Sequence, residues 1–227
     1  MTIDRTHDHP GSKPGRRKQD AVYEALRHDI LEGRLAPGER LRLDDITQRL
    51  EVSHIPVREA LKQLEADGYV AIEPYVGTTV AELKADWIHE LFELKEALEL
   101  ISGRAACRRM SQQDLDDVEA VLRRMDDLVR DPEAWSASNV ELHRLICTRA
   151  GTKLAGQLLD RVLNQWDRLR RYFLQEVFAL RVFEAQREHW AIYHALTRRD
   201  PDELERVVRT HNRRALEAYA ARLPDHD

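Results

Sequence analysis

Residues 52–61, Val-Ser-His-Ile-Pro-Val-Arg-Glu-Ala-Leu, contain the pattern that decides the fold of the N-terminal part of the chain. Ser53 is a favourable N-cap residue, and Pro56 falls in the first helical turn, where its missing N–H costs little. Apolar side chains then recur at helical spacing and predict a buried face: Val57, Ala60, Leu61 and Leu64. The stretch therefore predicts a helix that is capped by Ser53 and ends at Gly68.

Two helical patterns precede this stretch and two strand patterns follow it. Apolar residues of 19–32 have helical spacing and end at a Pro-Gly turn, and residues 45–50 form a second, short helical pattern. Residues 69–72 and 78–80 are β-prone runs on either side of a turn with Pro and Gly. Three helices followed by a hairpin predict a winged helix-turn-helix over residues 18–81.

The rest of the chain has helical periodicity only. Apolar residues at 3.6 spacing run through six stretches: 87–109, 112–130, 136–150, 154–180, 182–199 and 201–222. The predicted fold class is therefore mainly α, a winged helix-turn-helix followed by an all-helical bundle of six or seven helices. The predicted division has four parts: a flexible tail at 1–17, the DNA-binding domain at 18–81, a linker at 82–86 and the helical domain at 87–224.

Charge and composition bound the possible functions. The chain has 227 residues and a net charge of -5, and residues 1–82 carry 12 basic against 15 acidic side chains. Any attraction to DNA must therefore come from a local patch. The two cysteines, the lack of a long apolar run and the lack of a signal-peptide core predict a cytoplasmic protein with no membrane partner.

The exposed side of the helix after Ser53 has the residues of a DNA-reading helix. His54, Arg58 and Lys62 lie opposite the apolar stripe, with Arg58 and Lys62 one turn apart. In a recognition helix, N-terminal side chains reach base edges in the major groove while basic groups meet phosphates. A solvated helix face is the alternative, and the order of the surrounding elements favours DNA binding.

This part of the sequence resembles the DNA-binding domain of GntR-type bacterial transcriptional regulators. The similar stretches are 33–41, 52–61 and 64–68. The resemblance implies that Ser53, His54 and Arg58 contact operator DNA and that the wing around Val76 and Gly77 approaches the minor groove. The family usually has Arg at the position of His54. Arg can bind guanine through two hydrogen bonds and a neutral His cannot, so this departure bears on base preference.

Several polar residues of the helical segment fall on its inward faces. Asn139 and His143, at i and i+4, lie on or beside one apolar stripe, and His189 and His211 lie on the stripes of two later helices. A lone histidine there is more often a hydrogen-bonded core residue. A shared metal ion would satisfy all four together. Imidazole and amide ligands suit Zn, Ni, Co or Mn, and four neutral ligands favour an additional anion such as a carboxylate.

Residues 87–222 resemble the all-helical FCD ligand-binding domain of the FadR-like GntR subgroup. The metal pattern of that domain is an acid or amide four residues before a His, then two more His. It matches four residues here: Asn139, His143, His189 and His211. Lys95 faces inward where the family typically has Arg, and the resemblance implies an anchor for the carboxylate of an effector. An ion pair with Glu99 is the alternative role of Lys95.

These features predict a transcriptional regulator rather than an enzyme. We expect a homodimeric repressor that binds a pseudo-palindromic, double-stranded operator and responds to a small carboxylate. One alternative is a metalloenzyme that uses the three-His site with Glu188 or Glu141 as a base, although the sequence has no HExxH motif, nucleophile elbow or phosphate loop. The other is a helical domain that holds no metal and serves as a dimer interface.

Overall fold

A computed structural model describes residues 14–173 and 177–222 of the chain, which divides into two units after Glu82. Three helices and three short strands make up the described part of the N-terminal unit, residues 1–82. In chain order these are α1 (Pro14–Leu31), β1 (Arg40–Leu41), α2 (Leu43–Leu50), α3 (His54–Ala66), β2 (Val70–Glu73) and β3 (Gly77–Val80).

The three helices and the sheet share one apolar core. It comprises Val22, Leu26, Ile30, Leu41, Ile46, Val57, Ala60, Leu61, Leu64, Tyr69, Val70 and Val80. The apolar stripe predicted for α3 is buried in this core. Gly68 follows the C-cap residue of α3 and has a φ of 77°. That left-handed conformation is inexpensive for glycine.

The sheet has the strand order β1-β3-β2 with antiparallel pairing throughout. β2 and β3 form the predicted hairpin, with Val70 opposite Val80. β1 adds a third strand that the sequence did not indicate, because two residues are too few to show alternation. The predicted winged helix-turn-helix is confirmed.

Two predicted boundaries differ from the observed elements. Helix α1 begins at Pro14, so residues 14–17 of the predicted tail are helical. A proline is tolerated in the first helical turn, and Arg16 and Arg17 favour the helix, whereas Gly15 does not. Residues 1–13 of that tail lie outside the described residues. The predicted linker at 82–86 is also shorter, because the next helix begins at Ala85 after an extended Lys84.

The described part of the second unit consists of six helices, within the predicted six or seven. They are α4 (Ala85–Arg109), α5 (Gln112–Asp127), α6 (Pro132–Arg149), α7 (Lys153–Tyr172), α8 (Ala179–Thr197) and α9 (Pro201–Ala220). Asp131 and Asp200 each accept a hydrogen bond from a backbone N–H of the following turn, and a proline follows each. These caps start α6 and α9 and so help to set the positions of their inward side chains.

Helix α4 packs against α6, α7, α8 and α9, and α8 also packs against α6 and α9. The inward faces of α4, α6, α8 and α9 therefore meet in one region of the bundle, and this region contains the predicted metal residues. None of the helices that the structure describes combines the length and apolar character that a bilayer crossing requires.

Candidate functional site

Three histidines from three helices meet inside the second unit. His143 on α6, His189 on α8 and His211 on α9 are all buried, and each offers a ring nitrogen within 4.8 Å of the other two. The ring centroids of His189 and His211 are 4.7 Å apart, and that of His143 lies 5.3 and 5.9 Å from them. The structure thus brings together the three histidines that the sequence singled out.

Several buried atoms in this cluster lack hydrogen-bond partners among the described residues. They include Asn139 Oδ1, His143 Nε2 and both ring nitrogens of His189. Glu99 Oε1 also lacks a contact of hydrogen-bond geometry, although Lys95 Nζ and His143 Nδ1 lie within ion-pair distance of it. Asn139 lies one turn before His143 on α6, and it lines the same cavity as His143 and His211. A buried polar atom without a partner is costly, so a concentration of them indicates a group that would complete the site.

Two buried carboxylates contact the Nδ1 atoms of His143 and His211. Glu99 Oε1 on α4 lies 2.8 Å from His143 Nδ1, and Glu188 Oε2 on α8 lies 2.8 Å from His211 Nδ1. An ionised carboxylate only accepts hydrogen bonds, so both Nδ1 atoms are assigned the proton and both Nε2 atoms keep a lone pair. Such partners characteristically fix the orientation of metal-binding histidines. The sequence had indicated Glu188 only as a possible base and Glu99 only as a partner of Lys95.

The predicted DNA-reading side chains line the exposed side of α3. Arg58 is exposed and makes no ion pair among the described residues, whereas Lys62 Nζ lies 3.0 Å from Glu59 Oε1. His54 Nε2 lies 3.7 Å from Asp44 Oδ1, and both side chains are more than half exposed. Arg58 is therefore the most available of the three predicted basic contacts.

Ser53 occupies the N-cap position of α3, but within the described structure its side chain makes no capping hydrogen bond. The predicted side-chain cap is therefore wrong. Pro56 explains this, because it stands at the third helical position and has no N–H to donate to the Ser53 hydroxyl. The exposed hydroxyl stays available to another partner.

In the wing, which is the hairpin of β2 and β3, the Arg40 guanidinium lies beside Gly77. Gly77 has a φ of 108°, and a Cβ built on it would lie 3.4 Å from the Arg40 guanidinium. Tyr75, at the tip of the turn, is fully exposed. The sequence indicated Gly77 but missed Arg40, whose strand pairs with β3. Arg40 adds positive charge where the overall charge of the unit is negative.

Comparison with known proteins places both units in one family. Residues 18–80 match the model of the bacterial regulatory proteins of the gntR family, and residues 90–214, more than half of the chain, match the FCD domain. The chain belongs to the GntR family. It is a DNA-binding transcriptional regulator of the GntR type with an FCD domain, and the related proteins are regulators rather than enzymes.

Three similar proteins extend over most of the chain. The regulator BphR of Paraburkholderia xenovorans is 28% identical over 85% of this chain and 81% of its own. The transcriptional repressor RspR of Escherichia coli is 26% identical over 84% of this chain and 83% of its own. A crystal structure of a GntR regulator from a Rhodococcus species has a TM-score of 0.73 at 22% identity and covers 92% of this chain and all of its own. The last similarity shows the shared fold.

In this GntR-family protein, Lys95 is buried in a closed network. Its Nζ lies 2.7 Å from Glu99 Oε1 and donates a hydrogen bond to Asn212 Oδ1 at 3.0 Å. Asn212 Nδ2 in turn donates to Glu99 Oε2 at 2.7 Å. The ion pair between Lys95 and Glu99, which was the alternative role for Lys95, is therefore present, and it is buried. Lys95 also lines the cavity beside His143 and His211.

A second cation, Arg181 on α8, lines the same cavity, and it was not among the residues predicted from the sequence. Its Nη2 donates to Glu188 Oε2 at 2.8 Å, and Arg214 Nη1 donates to Glu188 Oε1 at 3.2 Å. Arg181 lies two helical turns before Glu188 and His189, so helical periodicity could have placed it on their face. The remaining wall is largely apolar and includes Phe92, Trp135, Trp166, Phe178 and Tyr219.

Burial sets the charge states of this region. It lowers the pKa of His189 well below its ordinary value, with the nearby histidines adding to the effect, and it lowers the pKa of His211 to about 4. Burial also lowers the pKa of His143, although Glu99 opposes this. For Glu99 itself burial would raise the pKa, but Lys95 and His143 hold it well below its usual range. At neutral pH the cluster is therefore three neutral histidines beside ionised carboxylates.

These pKa values predict acid sensitivity of the metal-free protein. Unfolded histidines titrate near 6.5, so between that pH and the lowered folded values the unfolded chain binds more protons, and stability falls as pH falls. A histidine that stays neutral in the folded protein while it is protonated in the unfolded chain contributes at most about 1.4 kcal/mol per pH unit, and His211 is expected to reach this slope between its folded and unfolded pKa values. Urea unfolding with a chelator between about pH 7 and about pH 5 measures the slope. A free energy of unfolding that stays constant across this range would contradict the assignment.

Proposed function

We propose that this regulator is a homodimeric repressor whose helical unit holds one divalent metal ion and responds to a small carboxylate. The observation that carries the metal proposal is the set of buried atoms without partners in the described structure, which come from Asn139, His143 and His189. His211 completes the set, because its Nε2 keeps a lone pair and its ring lies against that of His189.

The donor set fits a borderline divalent ion. Three imidazole nitrogens and one amide oxygen suit Zn, Ni, Co or Mn, and neutral histidines are the form that binds metal. When bound, such an ion would supply positive charge and a coordination position for an anion. Glu99 and Glu188 would hold the rings of His143 and His211 in the orientation that presents Nε2.

The cavity next to the histidines supports a small carboxylate as effector. Two cations, Lys95 and Arg181, line it together with Asn139, and its other walls are mainly aromatic and aliphatic. An apolar cavity with a few convergent polar groups is the usual form of a small-molecule site. The positive groups favour an anion, and the limited space favours a small one.

Operator binding is assigned to the N-terminal unit. We propose that Ser53, His54, Arg58 and Lys62 contact double-stranded DNA in the major groove and that the wing at Gly77 approaches the minor groove. Their exposure and the residues of α3 that point away from the core support this assignment. Two copies of the chain would read the two halves of a pseudo-palindrome in the cytoplasm, and repression follows the example of RspR.

The metal proposal is tested by elemental analysis of protein purified without an affinity tag. We expect one equivalent of a divalent transition metal per chain, lost on dialysis against a chelator and restored by zinc chloride. Protein that contains no such ion and shows no thermal response to added zinc, nickel, cobalt or manganese would leave the helical unit as a domain without a metal.

The operator proposal is tested by selecting duplexes from a random library with the full chain. We expect an inverted repeat, bound by two chains per duplex, with half-sites about one helical turn apart. Sedimentation of the selected complex measures the stoichiometry. A single half-site bound by one chain would contradict the homodimer.

Replacing Asn139 with Asp is expected to tighten zinc binding and to destabilise the metal-free protein. A carboxylate at ligand distance gains several kcal/mol of attraction to a divalent ion, but without the ion it adds an unpaired charge to a buried site. Chelator competition measures the affinity, and thermal unfolding with and without zinc measures the opposite shifts. Equal shifts of melting temperature in both forms would indicate that Asn139 is not a ligand.

A further inference from the structure

We propose that Arg181 binds the carboxylate of the effector and that Lys95 serves instead as the fixed counter-ion of Glu99. This inference rests on the proposed effector site and names the residue that recognises the anion. It separates two cations that line the same cavity and that differ in their partners, exposure and surroundings.

The contacts of Lys95 leave its charge already balanced. Its side chain is 3% exposed, and its ammonium group is held by Glu99 at 2.7 Å and by Asn212 at 3.0 Å. Asn212 also donates to the second oxygen of Glu99, so the three groups form a closed set. A carboxylate that took Lys95 would leave Glu99 buried without its counter-ion, which is strongly unfavourable.

Arg181 has the opposite balance. Glu188 is a single carboxylate shared by two guanidinium groups, those of Arg181 and Arg214, and by the neutral ring of His211. Glu184 Oε2 also lies 4.0 Å from Arg181 Nη1, but its side chain is more than half exposed, so this pair contributes little. The close contacts therefore set two positive charges against one negative charge, and a bound anion would neutralise the difference. If Arg181 turned toward a bound carboxylate, Glu188 would keep Arg214 as its counter-ion and would still hold His211.

The position of Arg181 gives it access to solvent as well as to the cavity. It lines the cavity beside His143 and His211. It also lines a polar groove between α8 and α9, to which Arg187, Arg206 and Arg214 contribute. Its side chain is 13% exposed, whereas that of Lys95 is 3% exposed. The planar guanidinium offers five N–H donors, so Arg181 can bind a carboxylate through two parallel hydrogen bonds, which an ammonium group cannot do.

The experiment compares Arg181→Gln with Arg187→Gln in the full chain. Arg187 lies on the same helix and lines the groove but not the cavity, so its variant controls for general loss of positive charge. Zinc chloride is titrated first, and acetate and malonate are then titrated into the zinc-loaded proteins by calorimetry. We expect Arg181→Gln to weaken binding of at least one anion by about tenfold or more, as for loss of a charge-assisted hydrogen bond. Arg187→Gln should leave anion binding within about twofold, since exposed charges contribute little.

Arg181→Lys provides a second variant that keeps the charge and removes the planar donor pair. We expect its anion affinity to fall between those of the wild type and Arg181→Gln, with zinc affinity unchanged. Anion binding that is equal in wild type and Arg181→Gln would overturn the proposal, as would wild-type protein that binds zinc but neither anion. If zinc does not bind, the metal proposal fails, but the Arg181 proposal can still be tested. The same anion titrations on the metal-free protein then compare Arg181→Gln with Arg187→Gln.

Discussion

Arg58→Ala is expected to lower operator affinity by about two to four orders of magnitude while the thermal stability of the protein stays unchanged. Arg58 is exposed on α3 and makes no ion pair among the described residues, so its removal disturbs no internal contact. A good base contact is worth about 1–3 kcal/mol, and a homodimer loses it twice. Fluorescence anisotropy with the selected duplex measures the affinity, and thermal unfolding checks the fold.

Lys62→Ala is the matched control on the same helix. Lys62 lies one turn beyond Arg58 and is already paired with Glu59 at 3.0 Å, so we expect it to contribute mainly through phosphate attraction. Its loss should weaken binding to all duplexes alike. It should also reduce the slope of log affinity against log salt concentration by about one for each half-site. If Arg58→Ala behaved in this same uniform way, or had no effect, α3 would not be reading bases through Arg58.

The DNA-binding unit was predictable because its signals are local. The apolar spacing of α3, the proline in its first turn and the β-prone runs after Gly68 each indicate one element, and their order indicates the motif. Two details were not predictable from the helix pattern alone. The missing cap at Ser53 depends on the register of Pro56, and the approach of Arg40 to Gly77 depends on a strand of two residues.

The net negative charge of the N-terminal unit disfavours DNA binding, although this unit is a DNA-binding domain. Twelve basic against 15 acidic residues over 1–82 argue mildly against a polyanionic partner. The structure shows why the count is a poor guide. Arg34 and Arg49 lie 2.8 Å from the two oxygens of Asp29, so these charges are internally paired. Exposed charge near α3 and the wing decides the local field, and composition does not record which charges are paired.

The helical unit was predictable in its inward faces but less so in its contacts. Periodicity places Asn139, His143, His189 and His211 on apolar stripes, and it is enough to indicate that they could meet. It does not say which helices are neighbours. The contact of Glu99 with His143 joins α4 to α6, across 44 residues of sequence, and it also explains why Lys95 is a counter-ion. Such long-range pairs follow from packing and have no local signal.

His189→Ala is expected to abolish most of the thermal stabilisation by zinc. Metal at about a thousand times its dissociation constant stabilises a protein by about 4 kcal/mol. For a chain of this size that is a shift in melting temperature of roughly 10 °C. The variant lacks one proposed ligand, so this shift should largely disappear. His194→Ala is the control, because His194 is an exposed histidine on the same helix, five residues further on.

The metal-free His189→Ala protein distinguishes a ligand from an ordinary core histidine. Both ring nitrogens of His189 are buried without partners in the described structure, so replacing the ring removes a polar cost. The ring also stacks on Trp135 with centroids 5.5 Å apart, so its loss leaves a cavity. These effects oppose each other, and without metal we expect a small change in melting temperature. A large loss of stability in the metal-free protein, with the zinc response intact, would show that His189 acts only in packing.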